Sequence, residues 1–382
     1  MHAKKPTESD QKQVALLAAK LSRLSSTQSH PDQVIDRKKS SRPPQSPLRR
    51  GVWWLFYLVA CGAALSLCVV AALRVFYHDG EFVLIWLNAF TRYVYLPAYG
   101  CFAWAMWQRR WILALASALT VGCHIAWMAR DFVRDRRFDS PTNIQASATM
   151  ADASPPVRIF FANVAVKNVQ HDSMLQEIVA ADPDVIVLVE YSWPWHLKFK
   201  ASPILAPYKY GTGHLQSHIG SVNVFSRLPL KNEIQNWVNG RAVHAIDMDR
   251  GDKTLRIIGL HGPRPIDDPQ YDYRGYWKQM VPMLTARQGP LVVVGDFNAT
   301  EHSLVYEQLT STWLRSAHDD RGRGYATTWP NGVYWLPPIR IDQALLSPEV
   351  ECERIVEGRG VGSDHKPLII DVHVRAAPTV VK

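Results

Sequence analysis

Residues 51–73 read GVWWLFYLVACGAALSLCVVAAL, an apolar run without a single charged side chain. A helix rises about 1.5 Å per residue, so a run of this length is long enough to cross about 30 Å of hydrocarbon. The run is too long, and begins too far from the N-terminus, to be a cleaved signal peptide. We therefore predict a transmembrane helix here.

Two further apolar stretches follow, and aromatic residues near their ends suit a membrane–water interface. The middle stretch is interrupted by polar residues, of which Arg92 is charged, and by Pro97. A short basic turn, QRR, separates it from the third stretch. The sequence predicts a transmembrane region over residues 51–130 with about three helices, at 51–73, 83–107 and 111–129.

Charge predicts the orientation of this region. Residues 1–50 are polar and basic, which is typical of a largely disordered tail. A nucleic-acid-binding tail is one interpretation, but its position before an apolar run favours a cytoplasmic anchor. With three crossings, the C-terminal part lies on the extracytoplasmic side of an inner or plasma membrane. If the stretch containing Arg92 does not cross, this orientation reverses.

The C-terminal part carries almost no net charge, although the whole chain has a formal charge of +9. Residues 1–156 contain 19 Lys and Arg against 10 Asp and Glu, whereas residues 157–375 contain 23 against 24. A near-neutral domain lacks the broad cationic field of sequence-independent DNA binding. Cys352 is its only cysteine, which excludes an internal disulfide.

The pattern of the chain changes after residue 156. Residues 131–156 are predicted to be a linker, residues 157–375 a domain, and residues 376–382 a short tail. Short runs such as VRIFFANV, DVIVLVEY and PLVVVGDFN are typical of strands, and helical patterns separate several of them. This alternation predicts an α/β domain whose sheets are covered by helices.

Polar side chains stand where these predicted strands end. Taken singly, each is most simply a turn residue or a helix cap. Taken together they suggest a site, because α/β folds bring strand ends to one edge of a sheet. The set comprises Asn163, Glu190, His261, Asp296, Asn298, Asp342, Asp364 and His365.

The chemistry of this set suits hydrolysis of a phosphate ester. Glu190 and Asp364 offer hard oxygen ligands for Mg²⁺ or Mn²⁺. Asn163 and Asn298 can donate hydrogen bonds to phosphoryl oxygens without adding negative charge.

The two histidines supply proton transfer in this interpretation. His365 can take a proton from water, while Asp342 holds the imidazole tautomer and stabilises the imidazolium. His261 can donate to a phosphate oxygen or to the leaving group. The predicted reaction is metal-assisted in-line attack of water.

The ordered motifs FAN, VLVE, VFSRLPL, GLH, GDFNA, RIDQALLS and GSDHKPLI resemble the endonuclease/exonuclease/phosphatase superfamily across residues 157–375. This superfamily includes DNase I, exonuclease III-type repair enzymes, neutral sphingomyelinases and inositol-polyphosphate 5-phosphatases. With its apolar N-terminal region, the chain resembles the membrane-anchored bacterial members. The resemblance implies a four-layered α/β/β/α sandwich with the site at one edge of the paired sheets.

The resemblance also implies roles for individual residues. Asn163 and Glu190 match the asparagine and glutamate that contact phosphate and metal, and Asp364 would ligate or neighbour the metal. Arg227, in VFSRLPL, matches a position that contacts substrate, and a structural ion pair is the alternative. Ala165 stands where repair-type members carry an aspartate, which argues against abasic-site nuclease activity.

Two functions are compatible with the sequence. The first is a membrane-anchored, divalent-metal-dependent phosphoesterase, acting on a phosphodiester of nucleic acid or of a lipid headgroup. The second is a catalytically silent, membrane-tethered scaffold that keeps the fold. The complete polar set favours the enzyme. No protein partner is predicted.

Overall fold

The computed structural model describes six stretches of the chain: residues 47–133, 155–212, 220–250, 253–267, 272–286 and 289–375. The predicted N-terminal tail lies outside the described residues except for residues 47–50. The predicted tail at 376–382 and residues 134–154 of the predicted linker also lie outside them.

The chain divides into two units, residues 1–57 and residues 58–382. The described part of the first unit is residues 47–57, which begin helix α1 (Pro47–Tyr77). Side chains on this segment are largely exposed, and Trp54 and Tyr57 make an edge-to-face contact with ring centroids 5.9 Å apart.

The second unit continues α1 and adds four helices before the linker. By length and composition, α1 and the last of these helices are long and apolar enough to cross a membrane. The four are α2 (Phe82–Ala89), α3 (Thr91–Val94), α4 (Leu96–Trp107) and α5 (Trp111–Phe132).

The region predicted as a single helix at 83–107 is instead broken into three helices. The breaks fall at Phe90 and Tyr95, which end α2 and α3. Pro97 lies in the first turn of α4, where its missing N–H costs no helical hydrogen bond. Arg92 is buried in the short α3, with 4% of the residue exposed. A buried guanidinium must find polar partners, and these are Asp131 of α5 and groups of the domain that follows.

The described parts of residues 155–375 contain two six-stranded sheets and five further helices. The strands are β1 (Val157–Asn163), β2 (Val185–Val189), β3 (Tyr210–Gly211), β4 (Val222–Ser226), β5 (Leu230–Val238), β6 (Arg241–Arg250), β7 (Lys253–His261), β8 (Leu291–Asp296), β9 (Arg315–Ser316), β10 (Asp342–Leu346), β11 (Val350–Glu357) and β12 (Leu368–Val374). Sheet A has the order β11-β12-β1-β2-β4-β3, and sheet B the order β5-β6-β7-β8-β10-β9.

The helices of this part are α6 (His171–Ala181), α7 (Trp193–Ala201), α8 (Tyr273–Thr285), α9 (Leu304–Thr310) and α10 (Ala317–Asp320). Single 3₁₀ turns occur at Pro203–Leu205 and Pro265–Asp267.

The two sheets pack face to face around a shared apolar core. Ile159, Phe161 and Val187 of sheet A are fully buried in one cluster with Ile246 and Val292 of sheet B. β2 and β8 are apolar along almost their whole length, which is typical of strands covered on both faces.

Helices cover the outer face of each sheet. On sheet A, Phe160 clusters with Met174 of α6 and Trp195 of α7. On sheet B, Val293 clusters with Tyr276 of α8. The order of layers is therefore helix, sheet, sheet, helix, and the predicted α/β sandwich with two sheets is confirmed.

Gly259 lies on β7 and faces sheet A. A Cβ atom at this position would lie 2.9 Å from Cγ1 of Val187 and 2.9 Å from Cγ1 of Val222, both on sheet A. Valine side chains are stiff about χ1 and cannot turn aside at low cost. The distance between the sheets therefore depends on the absence of a side chain at residue 259.

We predict that Gly259→Ala destabilises the chain by about 1–3 kcal/mol, the usual cost of overpacking a core. Denaturant-induced unfolding of the purified chain measures the change. Gly122→Ala is the matched control, because a Cβ on Gly122 meets no atom within 4 Å. Equal midpoints for Gly259→Ala and the unmodified chain would contradict this account of the packing.

Candidate active site

Strand register brings the predicted polar residues to one edge of the sandwich. β1 is parallel to β2, and Asn163 pairs with Val189, the residue before Glu190. β7 is parallel to β8, and the same kind of pairing sets His261 opposite Asp296. Because parallel strands end at the same edge, all four side chains lie together.

β10 joins this edge from the opposite direction. It runs antiparallel to β8, so its first residue, Asp342, pairs with the last residue of β8, Asp296. Two carboxylates from different parts of the chain therefore stand side by side. Both are buried, with 1% or less of each residue exposed.

The amide of Asn163 lies at the centre of the group. Its Nδ2 atom donates to Glu190 Oε1 at 3.2 Å and to Asp296 Oδ2 at 3.0 Å. The same nitrogen lies 3.5 Å from His365 Nε2. One side chain thus contacts three residues that are far apart in the sequence.

His365 lies between the two buried carboxylates. Its Nδ1 atom is 2.9 Å from Asp342 Oδ2, and its Nε2 atom is 3.6 Å from Asp296 Oδ2. The loop that carries it is held by Ser363, whose Oγ donates to Asn163 O at 2.7 Å and accepts from His365 N at 3.1 Å. Ser363 was not among the predicted site residues.

The electrostatics of this group favour protonation. Burial lowers the pKa of His365, but the carboxylates of Asp342 and Asp296 outweigh it and raise the pKa to about 10. Burial, reinforced by Asp342, raises the pKa of Asp296 to about 7 against the opposing effect of His365. Proton binding at Asp296 and proton binding at His365 depend on each other, because the charge of each group acts on the other.

His261 completes the polar wall of the site. Its Nε2 atom lies 3.6 Å from Asp296 Oδ2 and 3.9 Å from Glu190 Oε1. The residue is buried, with 1% exposed. Its ring therefore faces the same carboxylates that surround Asn163.

Left-handed backbone follows β1, β2 and β8, at Ala165, Glu190 and Asn298. Glu190 has φ of 56° directly after β2, and Asn298 has φ of 49° two residues after β8. Asparagine tolerates this region, whereas glutamate rarely adopts it outside functional sites. The turn at Asn298 is held by its own N–H, which donates to Asp296 Oδ1 at 2.9 Å, and by its Nδ2, which donates to Gly262 O at 3.0 Å.

Asp364 lies at the exposed rim next to His365. Its Oδ2 accepts from Trp329 Nε1 at 3.2 Å, and its carbonyl accepts from Asn331 N at 2.7 Å. The negative charge of Asp364 helps to raise the pKa of His365. The contact with Trp329 was not predicted from the sequence, although the aromatic residues before RIDQ were a signal for it.

Arg227 does not join the site. β4 runs antiparallel to β2, so Ser226 pairs with Val185 at the start of β2, whereas Glu190 follows its end. The Nη2 atom of Arg227 donates to Asp182 Oδ1 at 2.5 Å, and its guanidinium lies 4.9 Å from the ring centroid of Tyr208. The expectation that Arg227 contacts substrate is therefore corrected to a structural ion pair.

The donor atoms fit a hard divalent cation. Glu190 is partly exposed, with 23% of its side chain accessible, and its Oε2 is fixed by Val166 N at 3.1 Å. Ligand atoms of Asp296, Asp342 and His365 all lie within 4.8 Å of one another. Asp342 Oδ1 is buried and has no hydrogen-bond partner among the described residues. Oxygen-rich sets of this kind suit Mg²⁺ or Mn²⁺.

Comparison with known proteins matches this region to one family. The model of the Endonuclease/Exonuclease/phosphatase family matches residues 161–365. This span contains every residue of the predicted site. No curated protein matches the chain.

Among solved structures, the chain is similar to humanized D. rerio TDP2, with a TM-score of 0.48 and 13% identity over 58% of this chain and 100% of that one. It is also similar to 3′ phosphatase NExo from Neisseria bound to product DNA hairpin, with a TM-score of 0.45 and 17% identity over 57% and 99%. A third is sphingomyelinase C from Streptomyces griseocarneus, with a TM-score of 0.41 and 17% identity over 57% and 99%.

Asp342→Asn is predicted to lower the pKa of His365 by about 1–3 units, because it removes an opposite charge at hydrogen-bond distance. NMR titration of the His365 ring in histidine-labelled protein measures this. Asp182→Asn is the control, since Asp182 pairs with Arg227 outside the site. An unchanged His365 titration would contradict the geometry.

The raised pKa also predicts the sign of a stability change. Protonated His365 stabilises the folded state fully below its unfolded pKa of about 6.5, and this contribution is lost as pH rises through about 10. Asp342→Asn should reduce that dependence on pH.

Proposed function

Because the chain belongs to the endonuclease/exonuclease/phosphatase family, we propose that it is a membrane-anchored, divalent-metal-dependent hydrolase of a phosphodiester. The observation that carries the proposal is the convergence at Asn163. Its amide contacts Glu190, Asp296 and His365, which are the metal-binding and proton-transferring groups that hydrolysis requires. Asn163, Glu190 and Asp364 would hold the metal.

In the proposed reaction, water is activated by the pair Asp296 and His365. Asp296 Oδ2 and His365 Nε2 lie 3.6 Å apart and face the same amide, so both can bond one attacking water. Asp296 Oδ2 takes the proton of that water, because the raised pKa of His365 leaves its imidazole already protonated at neutral pH. Asp342, at 2.9 Å from Nδ1, keeps the imidazole oriented and stabilises its cationic form.

The remaining polar groups would bind the phosphate. Asn163 and Asn298 carry amides that add no negative charge, and His261 can donate to a phosphate oxygen or to the leaving group. A bound Mg²⁺ or Mn²⁺ would polarise the phosphoryl oxygen and offset the charge that develops there. The buried setting strengthens each of these interactions.

We also propose a multi-pass membrane anchor with the catalytic domain on the extracytoplasmic side. Arg74, near the end of α1, and Asp131, near the end of α5, both contact His302. Between these two helices, α3 contacts the domain through Arg92, which donates to Gly324 O. α4 then runs from α3 to the basic turn at residues 108–110. Three passes would connect these points, with the basic N-terminal tail opposite the domain.

The two candidate substrates are a phosphodiester of nucleic acid and a phosphodiester of a lipid headgroup. A near-neutral domain and an adjacent bilayer favour a lipid, because neither supplies the phosphate-neutralising surface that duplex binding requires.

Activity is predicted on bis-p-nitrophenyl phosphate with Mg²⁺ or Mn²⁺, lost in EDTA and restored by metal. His365→Ala should lower kcat by about 10²–10⁴-fold, the usual contribution of a proton-transferring group. His373→Ala is the matched control, since His373 pairs with Glu353 and is partly exposed. If no phosphate ester is turned over with any divalent metal, the silent-scaffold alternative is favoured.

Sidedness is tested with reporters fused after residue 382 of the full chain. Alkaline phosphatase should be active in that fusion, because it folds only outside the cytoplasm. A green-fluorescent fusion at the same position should be dark when exported through the Sec pathway. The reverse pair of results would place the domain in the cytoplasm and exclude three passes.

A further inference from the structure

A second buried charged cluster lies outside the candidate active site, between the N-terminal helices and the catalytic domain. Five of its side chains are at most 4% exposed, and the sixth, Asp319, is 22% exposed. The members are Arg92, Asp131, Glu301, His302, Asp319 and Arg340.

Arg92 is the member that joins the helical region to the domain. Its Nη2 donates to the carboxylate of Glu301 and, at 2.6 Å, to Gly324 O. Its Nη1 donates to Tyr325 O at 3.1 Å, and its guanidinium lies 4.4 Å from the Tyr325 ring centroid. Its Nε lies 3.5 Å from Asp131 of α5. A single side chain of α3 therefore contacts two loops of the domain.

Glu301 is shared between Arg92 and Arg340. Its Oε1 accepts from Arg92, and its Oε2 lies 3.5 Å from Arg340 Nε. Glu301 is three residues after Asn298, and Arg340 is two residues before Asp342. The cluster thus connects the helical region to both chain segments that carry buried carboxylates of the candidate active site.

Backbone contacts hold the same loop. Arg74 Nη2 donates to His302 O at 3.3 Å, and Asp79 Oδ2 accepts from Leu304 N at 2.6 Å. From within the domain, Gln343 Nε2 donates to Ala299 O at 3.2 Å. Residues 299–304 are therefore held from the helical side and from β10.

The cluster carries its own cations. Asp131, Glu301 and His302 have the spacing of metal ligands. However, the guanidinium of Arg92 already contacts both carboxylates, and Arg340 contacts the free side of Glu301. Arg92 and Arg340 lower the pKa of Glu301 in spite of its burial, so the glutamate is ionised. Removing one partner would leave a buried charge uncompensated.

We propose that Arg92 is a positioning residue for catalysis, which acts through Glu301 and Arg340 to hold the loop after Asn298 and the start of β10. The N-terminal helical region is then part of the catalytic unit and more than a tether. This inference rests on the proposed phosphoesterase function. We call the contacts of Glu301 with Arg92 and Arg340 the clamp. A misplacement of catalytic groups by about 1 Å can lower the rate by up to about 10²-fold, so loss of the clamp should be visible in kcat.

The test uses the full chain in detergent or nanodiscs with Mg²⁺, at a temperature where every variant is folded. Arg92→Met should lower kcat on bis-p-nitrophenyl phosphate at least about tenfold, with KM changed less than about twofold. Hydrogen–deuterium exchange should rise in peptides covering residues 297–304 and 339–342. Arg92→Lys keeps the positive charge, so it should retain part of the kcat and part of the protection from exchange that Arg92→Met loses.

The matched control is Arg158→Met. Arg158 makes a bidentate pair with Asp371, at 2.7 and 3.0 Å, at the start of β1 and far from the strand ends that form the site. This variant should lower Tm without changing kcat or exchange in the two peptides. Glu301→Gln is the second test variant. It removes the charge of Glu301 but keeps the size of the side chain, so the inference can still be tested if Arg92→Met does not fold.

The outcomes separate the inference from the proposed function. If Arg92→Met and Glu301→Gln lower Tm but leave kcat or the exchange of the two peptides unchanged, the clamp is overturned. If the unmodified chain turns over no phosphate ester, the proposed function falls, and the exchange data alone decide whether Arg92 holds the loop. Increased exchange in both variants but not in Arg158→Met would support the clamp.

Discussion

The hydrogen bond from Asn163 to Asp296 joins the two sheets of this protein at the edge where its chemistry would take place. Asn163 ends a strand of sheet A and Asp296 ends a strand of sheet B, and their side-chain atoms lie 3.0 Å apart. Both groups are buried, so each depends on the other to replace the water it has lost. Glu190 accepts a hydrogen bond from the same amide, and His365 Nε2 lies 3.5 Å from it, so the positions of both residues depend on how the sheets pack. Gly259 contributes to that packing by allowing the sheets to approach.

Contacts between buried charged groups also join the N-terminal helices to the domain. Arg92 stands in an apolar region of the sequence, where an unpaired guanidinium would be costly. The structure pairs it with Asp131 from α5 and Glu301 from the domain. Such clusters add less to stability than to geometry, since their attraction is largely offset by desolvation. Here the geometry in question is that of the loop following Asn298.

Most members of the candidate site could be predicted because strands and their ends are visible in the sequence. Apolar runs that stop at Asn163, Glu190, His261 and Asp296 indicate both the strands and the edge that they share. Arg227 was assigned to the site from a motif alone, and the antiparallel direction of β4 places it at the opposite end. The middle apolar stretch was predicted as one helix, yet Pro97 and the buried Arg92 interrupt it. Local pattern cannot show the direction of a strand or the partner of a charge.

The sequence by itself determined the α/β class, the apolar N-terminal region and the residue types available for phosphoester chemistry, because periodicity and composition are local properties. Only the tertiary structure decided which of those side chains meet. Strand register set Asp342 against Asp296, and the packing of α3 on the domain set Arg92 against Glu301, which also pairs with Arg340. The most distant of these contacts, between Arg92 and Glu301, joins residues 209 positions apart. A buried charge needs a partner wherever that partner lies in the sequence, so such a pair leaves no periodic pattern in the chain.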